Sequence, residues 1–98
     1  MKDVHAIIRF LGIPPSIAQL VNISETALLN AGFDLSTCNA WNGNTETVKG
    51  YRVNMVYGNP PSLNDIAAVL SKALTRAGFS FIPPIAVYFH PLPPQNAA

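Results

Sequence analysis

A 24-residue segment occurs twice in this chain, and the two copies lie 46 positions apart without a gap. Residues 12–35 and 58–81 both begin with the pattern Gly-x-Pro-Pro-Ser and both contain Ala-Gly-Phe near their end. Nine of the 24 aligned positions are identical. Self-similarity at a fixed spacing indicates one supersecondary unit used twice. Two unrelated helices with similar start and stop residues would share the prolines and glycines, but not the ungapped spacing between them.

Each copy reads as one helix with defined ends. Ser16 and Ser62 are good N-cap residues, and the prolines before them keep the chain out of helical dihedral angles. Apolar residues then recur at helical spacing in both copies. Gly32 and Gly78 follow as residues that end a helix in the left-handed conformation. The pattern predicts helices over 16–31 and 62–77.

Apolar runs on either side of the two helices predict four strands. They cover 4–11, 33–41, 51–57 and 79–90, and the Asn-Gly-Asn sequence at 42–44 predicts a hairpin between the middle two. The order β-α-β-β-α-β with right-handed crossovers predicts a ferredoxin-like α+β sandwich. Its four-stranded antiparallel sheet has the order 4-1-3-2, with both helices on one face.

The repeat and the turn residues also predict how the chain is organised. Residues 1–90 form a single domain, with pseudo-repeat units at about 4–41 and 50–87, and the Pro-rich residues 91–98 form a flexible tail. Pro83 and Pro84 fall inside the last strand, which predicts an edge or broken strand there because proline cannot donate to a ladder.

Composition excludes several classes of protein. Hydrophobic residues make up 49% of the 98 residues and charged residues 11%, which is too apolar and too weakly charged for a disordered chain. A single Cys38 excludes a disulfide scaffold, and six scattered cations do not favour nucleic-acid binding. No apolar run reaches the ~18 residues of a membrane span. We expect a cytoplasmic protein.

The titratable residues predict no catalytic, metal or cofactor site. His5 and His90 are expected to lie close together, because the first and last strands are antiparallel neighbours in this fold. Zinc takes three or four ligands, and Asp3 is the one further ligand nearby. Cys38 is expected on the second strand, away from either histidine that might activate it. We expect a protein without a cofactor and without enzymatic activity.

The two Gly-x-Pro-Pro-Ser loops are the candidate ligand-binding elements. We expect Gly12 and Ser16 to lie beside Gly58 and Ser62 at one edge of the sheet, where two helix N-termini would face an anion. The first unit resembles the start of ACT regulatory domains, with an apolar strand, a Pro-containing turn and a helix ending in Ala-Gly-Phe-Asp-Leu at 31–35. That resemblance covers about a third of the chain and implies small-molecule sensing. No family is identified from it.

Lys49-Gly50-Tyr51 matches the first three residues of the RNP1 motif of RNA-recognition domains. The match ends there, because Arg52 replaces a small residue and Val53 replaces a stacking aromatic. RNA recognition is therefore the least favoured alternative.

A protein-interaction or assembly module is the favoured expectation. Helices on one side of the sheet leave the other face uncovered, and exposed apolar area marks an interface. The expected interface residues are Tyr51, Val53, Met55 and Tyr57, which share one face of the third strand. The expected partner is a second copy of the chain or another protein.

Overall fold

The computed structural model of the chain describes residues 1–43 and 50–90. The turn of the expected hairpin and the expected tail lie outside these residues. The described residues form an α+β fold with two helices, and their strands pair in antiparallel fashion.

The described residues form six strands where four were expected. They are β1 (Lys2–Ile8), β2 (Phe10–Leu11), β3 (Leu35–Asn42), β4 (Tyr51–Tyr57), β5 (Ser80–Phe81) and β6 (Ala86–Phe89). The main sheet has the order β3-β4-β1-β6, in which β6, β1, β4 and β3 lie where strands 4, 1, 3 and 2 were expected, and β2 and β5 form a separate two-stranded sheet that was not expected.

The extra strands arise because the expected first and last strands are each broken. Beyond Ile8 the chain leaves the main sheet, and Phe10 pairs with Phe81 in the small sheet. Pro83 and Pro84 lie between β5 and β6, and their missing N–H groups prevent a continuous ladder. The expectation of a broken edge strand at these prolines is confirmed, since β6 lies at an edge of the main sheet.

The two helices are α1 (Ile17–Asn30) and α2 (Leu63–Arg76), within a residue of their predicted bounds. Ser16 and Ser62 are the N-caps, and each side-chain oxygen accepts a hydrogen bond from the backbone three residues later. At Ser16, Gln19 also returns a bond to the cap backbone and completes a capping box. Gly32 and Gly78 have φ of 84° and 92°, so the predicted left-handed ends are confirmed.

The 46-residue offset that relates the helices does not extend into the strands. Leu20 and Leu28 of α1 are buried, and so are Ile66 and Leu74 at the matching positions of α2. In the strands, however, the inward-facing Ile8 corresponds at this offset to Asn54, whose neighbours Val53 and Met55 are the buried residues of β4. Because side chains alternate along a strand, the inward positions of the two copies are out of step by one residue.

One face of the main sheet carries the core. Val4, Ala6 and Ile8 of β1 are fully buried, and so are Val53, Met55 and Tyr57 of β4. They form one cluster with the inward residues of both helices, so α1 and α2 cover the same face of the sheet. Neither helix covers the opposite face.

Candidate functional site

The uncovered side of the main sheet, here called the open face, is formed by alternate residues of its four strands. Pairs in register lie on the same face of an antiparallel sheet. The open face is therefore formed by Thr37, Asn39 and Trp41 of β3, Arg52, Asn54 and Val56 of β4, Asp3, His5 and Ile7 of β1, and Ala86 and Tyr88 of β6, with His90 just beyond β6.

His5 lies at the centre of an aromatic cluster on the open face. Its ring stacks on that of His90, with centroids 3.9 Å apart and planes 15° from parallel. Trp41 and Tyr88 approach the His5 ring edge-on, with centroids at 5.5 and 5.8 Å. The predicted proximity of His5 and His90 is confirmed, and its cause is the β1–β6 pairing, which places the His90 N–H on the Asp3 carbonyl oxygen.

The polar groups around this cluster are hydrogen-bonded to one another. Arg52 donates from Nη1 to the Tyr88 hydroxyl, and the Asn54 side-chain amide donates to an Asp3 carboxylate oxygen. Nδ1 of His5 is different, because it is buried without a hydrogen-bond partner. The face thus combines paired polar groups with one orphaned imidazole nitrogen.

Burial lowers the pKa of His5. Only 6% of the side chain is exposed, and desolvation is the largest cause of the shift. The neighbouring His90 and Arg52 lower the pKa further, while the Asp3 carboxylate opposes them. His5 is therefore neutral at pH 7, and a neutral ring stacks on His90 without charge repulsion.

The interface residues expected from the sequence are not on the open face. Val53, Met55 and Tyr57 are completely buried beneath the helices, so their assignment to an intermolecular interface is wrong. Tyr51 is half-buried on the same helix side and packs edge-on against Phe10. The core takes these residues because their strand face is apolar at every position, whereas Arg52 and Asn54 make the alternate face polar.

The two Gly-x-Pro-Pro-Ser loops also lie differently from expectation. β1 and β4 are antiparallel, with Lys2 beside Tyr57 and Ile8 beside Tyr51. The loop with Gly12 and Ser16 follows the Ile8 end, and the loop with Gly58 and Ser62 follows the Tyr57 end. Six residue steps of strand, or roughly 20 Å, separate these ends, so the loops cannot form one shared ligand site.

Cys38 lies on the helix side of β3 and is not suited to nucleophilic chemistry. Burial, and to a lesser extent the Glu25 carboxylate, raises the pKa of its thiol to about 12. Tyr57 beside it is also buried, which raises the pKa of its phenol, and its hydroxyl lies 3.6 Å from the Met55 sulfur. Among the described residues, no group of three His, Cys, Asp or Glu side chains is placed to hold a metal ion.

A groove of about 710 Å³ lies elsewhere, between the two helices. Its lining includes small apolar residues such as Ala27 and Ala73, and two cations, Lys72 and Arg76. The lining contains no buried polar group without a partner, whereas the open face contains His5. The open face is therefore the stronger candidate for a functional surface.

Comparisons with protein-family models and with curated proteins return no match to this chain. In the part of the chain described by the structure, no helix is long and apolar enough to cross a membrane. The function of the chain must therefore be inferred from the chemistry of the open face.

The open-face residues Trp41, Arg52, Asn54 and Tyr88 were not singled out by sequence reasoning. The signal for Arg52 and Asn54 was the period-two pattern of β4, in which the other face is wholly apolar. Trp41 and Tyr88 join them through the register of β3 and β6, which the sequence does not show. Of the two faces, the wholly apolar one must meet the helices, which leaves the other available to a partner.

Proposed function

We propose that the chain is a non-enzymatic protein-interaction module that self-associates through its open face. The observation that carries this proposal is the set of Trp41, Arg52 and Tyr88 on a sheet face that no helix covers. Tryptophan, tyrosine and arginine are the residue types most enriched among those that dominate binding energy at protein interfaces.

The polar groups of the open face favour burial against another protein. One donor of Arg52 is bonded to the Tyr88 hydroxyl and one Asp3 oxygen accepts from Asn54, so each of these bonds persists when the face is covered. The face carries charges of both signs, Arg52 and Asp3, and Arg9 lies beside Ile7 and Ala86 at its end. A face with both signs of charge can pair with a second copy of the chain, because a two-fold contact uses the same surface patch on both partners.

The size of the face indicates weak association. Four strands about 4.8 Å apart and about 20 Å long give roughly 400 Å² of flat surface. A standard interface removes about 800 Å² of accessible surface from each partner, and interfaces at the low end of the size range are typical of weak, transient complexes. We therefore expect a weak, concentration-dependent dimer with a Kd in the micromolar range.

The proposal includes a ferredoxin-like architecture that arose by duplication, acting in the cytoplasm. The matched helices, with caps, buried positions and left-handed glycines at a constant offset of 46 residues, support a duplicated unit. The one-residue difference in the strands is accounted for by the break in the chain between β1 and β2.

Sedimentation velocity over a concentration series tests self-association. We expect the Trp41→Ala variant to raise the dimer Kd at least about tenfold, as for an interface residue of high energetic weight. Leu29→Ala is the matched control, because Leu29 is 49% exposed on α1 but lies in the helix layer. A wild-type chain that stays monomeric at several hundred micromolar, or equal effects of the two variants, would contradict the proposal.

A further inference from the structure

The stacked imidazoles of His5 and His90 lie on the surface assigned to self-association, with His5 on the inner strand β1 and His90 just beyond the edge strand β6. Their ring centroids are 3.9 Å apart, and His5 is almost wholly buried with its Nδ1 atom unpaired. The pair adds to the backbone ladder and to the bond from the His90 N–H to the Asp3 carbonyl oxygen, which also hold β6 on β1. It is a cluster of two titratable rings in direct contact on the open face.

The groups around the His5–His90 pair provide little negative charge to stabilise a protonated imidazole. The charged and titratable groups that face His5 are His90 beyond β6, Arg52 on β4, Asp3 on β1 and Tyr88 on β6. Arg52 is already a cation, and the single carboxylate of Asp3 is engaged by Asn54. Protonating both rings would place two cations in contact beside a third, with one anion to oppose them.

A partner bound to the open face disfavours protonation of the two imidazoles further. Burial at an interface removes the water that would otherwise solvate an imidazolium, so the neutral form is favoured further in the dimer. A symmetric partner also brings its own His5, His90 and Arg52 to the same contact, which doubles the number of cations confined there. Separated chains, in contrast, expose His90 to solvent.

We propose that self-association through the open face is linked to protons, with the neutral His5–His90 pair required for the dimer. This inference rests on the proposed function. On separation each chain takes up protons that the dimer excludes, so the dimer must weaken as the pH falls.

The test is the dimer Kd of the full chain, measured by sedimentation velocity at pH 7.5, 6.5 and 5.5 at constant ionic strength. Because each chain takes up a proton on separation, we expect the Kd to be at least about tenfold higher at pH 5.5 than at pH 7.5. Circular dichroism at each pH verifies that the chains remain folded. A dimer with the same Kd across this range overturns the inference and leaves the proposed function standing.

The variant His90→Gln tests the role of the pair. It removes one ring and keeps a polar side chain, so the quantity compared is the ratio of the variant's own Kd values at pH 5.5 and pH 7.5. We expect the logarithm of that ratio to be at most half as large as in wild type. The ¹H NMR titration of His5 is a second readout, in which loss of the neighbouring imidazolium shifts the His5 midpoint upward. An unchanged pH dependence in His90→Gln overturns the role of the pair. Absence of a dimer at every pH instead contradicts the proposed function, and with it this inference.

Discussion

Cys38 illustrates how strand position decides the chemistry of a single residue. It lies on the helix side of β3 with 6% of its side chain exposed, and α1 packs against this strand. The thiolate is the reactive form of cysteine, and burial without a cationic neighbour disfavours it. Cys38 is therefore part of the core.

Alkylation rates give a direct check of this assignment. With a thiol pKa of about 12, the native chain at pH 8 holds about 1,000-fold less thiolate than an ordinary cysteine does. We expect iodoacetamide to label Cys38 at least about 100-fold more slowly in the native chain than in guanidinium chloride. Equal rates in the two states would show that the thiol is accessible and that β3 does not pack as described.

For single residues, the sequence predicted which side chains lie next to each other better than it predicted which side chains are buried. The proximity of His5 and His90 follows from strand pairing alone and was predictable. The burial of Val53, Met55 and Tyr57 is indicated by the polar Arg52 and Asn54 on the alternate face of β4, a signal that the interface expectation did not use. β1 gives no such signal, because Ile7 makes its open face partly apolar. Ser24 shows the same limit, because it is fully buried at the position where α2 carries Leu70, and no local pattern marks a hydroxyl as a core residue.

At the scale of elements, helix ends are the most predictable features of this chain. The N-cap serines, the apolar stripes and the terminal glycines act through contacts a few residues apart, so the sequence contains all of the information. Strand boundaries depend on distant partners. The division of the first expected strand into β1 and β2 requires β5 as a partner, which lies about 70 positions further along the chain.

Substitution of the two helix-terminating glycines tests the element scale. Gly32→Ala and Gly78→Ala should each lower the free energy of unfolding by about 1 kcal/mol, because a Cβ atom strains a residue with positive φ. Steric contact is not the cause, since no atom lies within 4 Å of a Cβ built at either position. Urea unfolding measures the change.

Asn30→Ala is the matched control, because Asn30 is the exposed last residue of α1 and lies two positions before Gly32. Alanine is the better helix former, so this variant should be as stable as wild type or slightly more stable. Unchanged urea midpoints in both glycine variants would mean that these positions do not need the left-handed conformation.

At the scale of the whole molecule, the packing of two helices on one side of the sheet determines where a partner can bind. The helix side of the sheet is buried in the core. The other side carries the aromatic cluster and its hydrogen-bonded polar groups. An uncovered face was predictable from the β-α-β-β-α-β order. The residues on it were not, because their identity depends on the phase of the strands relative to the helices.

A dilution series followed by two-dimensional ¹H–¹⁵N NMR tests self-association through the open face most directly. Between about 1 mM and about 10 μM, a range that spans the expected Kd, the Trp41 indole signal and the backbone amides of Ile7, Arg52 and Tyr88 should shift continuously. Amides of the helix groove, such as those of Asn22 and Arg76, should stay in place. Shifts confined to the helices, or no shifts at all at 1 mM, would contradict the account.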